Sequence, residues 1–144
     1  MGYSKAPTRH RFGPFDFGGG ADDYFAIISP TGRSGGILVD YGVEGVTEAF
    51  NGDTLDPQLS VGTAADRDKY GEEITVNPAV DTGMSLRSQY ETIGSTLAAA
   101  KLSDYITADG LNIPASGAGI HAIASTGANL TGQGVLYADI VWPD

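Results

Sequence analysis

The sequence has no cysteine, two histidines, one tryptophan and only eight lysines and arginines among 144 residues. Without cysteine there is no disulfide framework, no thiolate-held zinc or iron–sulfur site and no thiol nucleophile. Two histidines, His10 and His121, cannot build a multi-histidine metal centre. A serine-type hydrolase would have to use His121 as its base, and no G-x-S-x-G elbow accompanies it. No catalytic residue is therefore expected. Apolar runs are short: Phe25-Ala26-Ile27-Ile28 and Leu97-Ala98-Ala99-Ala100 fall far below the roughly 20 residues of a membrane helix, and no charged start leads into an apolar signal core. No membrane partner is expected.

Positive charge is scarce and unevenly placed. The formal net charge is −10, yet residues 1–12 hold Lys5, Arg9 and Arg11 with no acid, and the remainder holds five bases against eighteen acids. So acidic a body is repelled by phosphate backbones, which makes nucleic acid a poor partner.

What the chain does have is turn chemistry. Twenty-one glycines and seven prolines, with few of the charged residues that coat helical bundles, favour an all-β protein. Residues 1–20 contain Pro7, Pro14 and Gly18-Gly19-Gly20 without a sustained period, and read as an extended N-terminal arm; residues 21–144 read as a single domain. Phe12, Phe15 and Phe17 are too apolar for a solvated tail, so either the arm's own domain or a neighbouring molecule must cover them.

Beyond the arm, short β-type runs alternate with turns. Residues 24–29 and 37–43 suggest a hairpin around a broad loop. Further strands are expected at 46–50, 59–61, 73–76, 104–107, 111–114, 118–126 and 134–142. Leu86, Tyr90, Ile93, Leu97 and Ala100 recur at helical spacing, but Gly94 and Thr96 weaken it, leaving at most one short helix near residues 95–101. In the last strand Leu136, Ala138, Ile140 and Trp142 form one apolar face, and Val135, Tyr137, Asp139 and Val141 a mixed one. The expected fold is a two-layer β-sandwich, jelly-roll-like, or a related barrel.

Candidate ligand sites are sparse. Asp22-Asp23 and Asp66-Arg67-Asp68 offer hard oxygens, but no full calcium loop surrounds them and Arg67 opposes a cation, so no metal is expected. The glycine stretches lack a G-x-x-x-x-G-K-[ST] frame, and no cofactor is expected. Tyr41, Tyr70, Tyr137 and Trp142 would stack on sugar rings if exposed, and would be ordinary core aromatics if not.

Four blocks, RFGPFDFGGGADDYF at residues 11–25, GDTLD at 52–56, LSVGTAAD at 59–66 and GVLYADIVW at 134–142, resemble the small decoration or cement proteins of tailed-bacteriophage capsids. The resemblance implies a non-enzymatic virion protein, commonly a homotrimer, that stabilises the outer surface of the icosahedral head by bridging neighbouring copies of the major capsid protein. Arg9, Arg11, Phe12, Phe15 and Phe17, gathered in the arm, are the expected capsid-binding set. A carbohydrate- or receptor-binding module of a phage tail is the alternative reading.

Overall fold

A computed structural model describes residues 2–3, 6–19, 22–51, 57–86, 105–123 and 131–144. The short helix expected near residues 95–101 lies outside them. The described strands are β1 (Thr8–Asp16), β2 (Asp23–Ile27), β3 (Ile37–Asn51), β4 (Gln58–Gly62), β5 (Gly71–Thr75), β6 (Met84–Ser85), β7 (Ala118–Ile123) and β8 (Thr131–Val141). They form two antiparallel four-stranded sheets, ordered β1-β8-β3-β6 and β2-β7-β4-β5. That pair of orders is the eight-stranded jelly roll, an all-β sandwich as the sequence pattern predicts.

Strict alternation builds the centre of the fold. In β8 and the residue after it, Leu136, Ala138, Ile140 and Trp142 are buried, and they join one core with Leu59, Val61 and Ile120 of the opposite sheet. Burying each Leu or Ile contributes about 1.5–3 kcal/mol, which is why the period of two fixes which face turns inward.

The expected hairpin does not form. β2 and β3 belong to different sheets, because residues 28–36 bond to residues 113–115 instead of closing a turn. Ser29 N donates to Ala115 O at 2.9 Å, and Gly35 N and Gly36 N both donate to Ile113 O, at 2.9 and 3.0 Å. The segment crosses from one layer to the other at the end of the sandwich. Among the described residues, the expected strands at 104–107 and 111–114 show single bridges, Gly71 with Ile106 and Gly36 with Ile113, flanking a 3-10 turn at Ala108–Leu111.

The expected strands at 37–43 and 46–50 are one continuous strand, β3, with two glycines inside it. Gly42 faces the backbone of β6, where an added Cβ would come within 2.1 Å of the Met84 carbonyl oxygen. Gly45 has φ of 57° and sits where the pairing with β8 slips between Glu44 and Glu48, so it bends a continuous strand.

The separate arm at residues 1–20 is the largest correction. Residues 8–16 are β1, paired with β8 from Thr8 opposite Ile140 to Asp16 opposite Gln133. Within β1 the interruption is Gly13-Pro14, where the register shifts between Phe12 and Phe15; Pro7 precedes the strand, and Gly18 and Gly19 lie in the 3-10 turn after it. The domain therefore includes β1, and the boundary at residue 21 disappears.

Candidate interaction surface

Strand periodicity divides β1 between two environments. Thr8, His10 and Phe12 lie on the side of core residues Ile140, Ala138 and Leu136, their register partners, while Arg9 and Arg11 lie over the outer face opposite Asp139 and Tyr137. On that outer face Arg9 is fully engaged. Its Nε and Nη2 donate to Oδ1 and Oδ2 of Asp139, both at 2.8 Å, and its Nη1 donates to Oε2 of Glu44 at 2.9 Å. The plane of the guanidinium covers the Tyr137 ring, 3.8 Å from its centroid. The hydrogen bond to Asp139 raises the Arg9 pKa well above its ordinary value, against the opposing effect of burial.

The network continues across the sheet. Tyr137 Oη donates to Asp40 Oδ2 at 3.4 Å, and Asp40 Oδ1 accepts the backbone N–H of Tyr41 at 2.9 Å. Burial, with the nearby Asp40 charge, pushes the Tyr137 hydroxyl above its usual range, so it stays a neutral donor. Arg11 is attached at one point, its Nε donating to Glu44 Oε1 at 2.6 Å, and its side chain is 58% exposed.

Of the five residues expected to bind a capsid, Phe15 and Phe17 are taken by the protein's own core, at 7% and 0% exposure. Phe17 meets Phe15 at 4.6 Å and Phe50 at 5.2 Å between ring centroids, both edge-on. They cannot anchor a partner without unfolding the sandwich. Arg9 is locked in the outer-face network. Arg11 is exposed and Phe12 half-buried, while Arg9, also half-buried, has its nitrogens engaged by Asp139 and Glu44. Phe12 lies 5.8 Å from Phe25 of β2, so the edges of both sheets meet along one side of the sandwich.

The other candidate residues make contacts within the fold. His121 Nε2 lies 2.7 Å from the Thr63 carbonyl oxygen, to which it donates, and its ring packs on Tyr24 at 4.6 Å. Trp142 Nε1 donates to His10 Nε2 at 3.0 Å. Tyr41, Tyr70, Tyr137 and Trp142 are all buried, which removes them as a sugar-stacking platform. Arg67 pairs with Glu73 at 2.8 Å and reaches Asp22 at 4.0 Å, placing positive charge beside one of the two acidic motifs. Among the described residues no three His, Asp or Glu side chains converge.

Sequence reasoning missed Glu44 and Asp40. Asp139 is visible as an acid on the mixed face of the last strand, but Glu44 falls between the expected strands at 37–43 and 46–50, and its meeting with both arginines follows from the β3-β8-β1 order. Matched against protein-family models, curated proteins and solved structures, the chain has no counterpart in any of the three.

Proposed function

We propose that the protein is a structural component of a tailed-phage virion that decorates the outer surface of the icosahedral capsid, binds the major capsid protein and stabilises the shell, acting as a homo-oligomer, a trimer by the resemblance. The observation that carries the reading is the commitment of its reactive groups. Nε2 of both histidines is already bonded, and Tyr41, Tyr70, Tyr137 and Trp142, the candidates for stacking on a sugar, are buried. A rigid sandwich of this kind acts through its surface. Jelly rolls serve viral capsid and lectin domains alike, so the fold is compatible with the reading without selecting it.

Co-sedimentation tests it. Purified protein mixed with heads assembled without it should pellet with them, saturate at a fixed ratio to the major capsid protein and raise the temperature at which the heads rupture. Retention on a glycan array without head binding would favour the tail-module alternative.

A further inference from the structure

The two open sides of the sandwich are treated differently by the chain. On one, the free edge of β5 is covered from within: Glu72 N donates to Tyr105 O at 2.7 Å, Thr107 N donates to Tyr70 O at 3.2 Å, and Gly71 bridges Ile106. On the other, β1 pairs with β8 and β2 with β7, and among the described residues no backbone group covers their outer edges. Residues 8–12 of β1 thus present five residues of uncovered backbone, ending where the register breaks at Gly13-Pro14. Uncovered backbone edges of this kind are the usual template for adding a strand.

The side chains along that edge specify what kind of strand fits. Toward the interior, Phe12 and Phe25 are half-buried and in contact, offering an apolar position to the inward residues of an incoming strand. Toward the outside, Arg11 uses only Nε, on Glu44; among the described residues its two terminal nitrogens meet no acceptor and can take a carboxylate end-on. A second copy of the chain fits poorly. Two-fold antiparallel pairing keeps outward residues opposite outward residues, so a register centred on residue 9, 10 or 11 sets Arg9 opposite Arg9, Arg9 opposite Arg11 or Arg11 opposite Arg11 of the other copy. Like charges directly opposite destabilise a strand pair.

We infer that the β1 edge at residues 8–12 is a docking site for an extended segment of a partner protein, alternating an acidic residue over Arg11 with an apolar residue over Phe12 and Phe25. This rests on the capsid reading, with the segment supplied by the shell. The added strand extends the sheet to β-β1-β8-β3-β6 and covers the aromatic seam.

Hydrogen exchange on the full-length protein, alone and bound to heads assembled without it, tests the inference. Binding should slow exchange of the amides within residues 8–12 whose N–H groups face outward. Arg11→Ala, at an exposed position, should keep the native melting temperature to within a few degrees and weaken head binding about tenfold. Arg11→Glu should weaken it further. Binding that leaves exchange at residues 8–12 unchanged would overturn the edge and leave capsid decoration standing. Failure to bind heads would overturn both. The same protection in free protein, with a dimer in analytical ultracentrifugation, would make a second copy the occupant and overturn the proposal.

Discussion

Arg9 holds Asp139 through two parallel hydrogen bonds while its guanidinium plane lies 3.8 Å over the ring of Tyr137. One side chain thereby joins β1 to β8 twice, by charge and by stacking, and reaches β3 through Glu44. Removing it with Arg9→Ala should cost about 1–2 kcal/mol, since the site is partly exposed and screening trims the charge contribution. Arg9→Lys should recover only part, because an ammonium cannot make the bidentate fork. Urea denaturation of the three proteins checks the order; equal midpoints would contradict it.

The arm reversal has a direct consequence for truncation. Deleting residues 1–17 removes an entire strand and the buried rings of Phe15 and Phe17, so the remaining chain should fail to fold cooperatively. The point change Phe17→Ala should cost about 3–5 kcal/mol. A truncated protein with the full-length melting temperature would show that β1 contributes nothing to the domain.

The contact between Trp142 and His10 requires an unprotonated acceptor. Burial lowers the His10 pKa below its ordinary value of 6.5, with Asp139 opposing the shift. The unfolded chain therefore binds the proton first. The contribution of His10 to stability is full above about pH 7 and is lost as pH falls through 6.5 toward the lowered folded value. Trp142 is the only tryptophan, so its fluorescence reports the unfolding transition directly. His10→Gln, which keeps an acceptor and does not titrate, should flatten this part of the profile; an unchanged profile would assign the dependence to other groups.

The inward face of the last strand offers a stringent core test. Ile140 is fully buried, and Ile140→Asp should leave the protein unfolded or aggregated, because an unpaired core charge costs several kcal/mol against a total stability of about 5–15. Circular dichroism and size-exclusion chromatography would register the loss. A native, monodisperse variant would reverse the assigned face.

The sequence makes the layers legible and the connections obscure. Alternation at Leu136, Ala138 and Ile140 reports its own burial, because the period of two is a local property. Whether β2 turns back on β3 is not local: it depends on Ser29 and Gly36 finding Ala115 and Ile113 about eighty residues away. Gly45 falls between the expected strands at 37–43 and 46–50 for the same reason, since a glycine that bends a continuous strand looks in sequence like a break between two. The alternation of Arg9 and Arg11 with His10 and Phe12 is strand-like, and the punctuation at Gly13-Pro14 hid it. The basic and aromatic character of residues 9–17 marked an important segment, but only the fold separates Phe15 and Phe17, which seal the core, from Arg11 and Phe12, which remain accessible at its edge.

A density map of the intact particle by electron microscopy tests the central claim most directly. The account predicts two-sheet sandwich density on the outer surface of the head, with the β1 and β2 side against the shell and a strand of the major capsid protein continuing the β1 sheet. A head surface bare of that density, or the sandwich located on the tail, would contradict it.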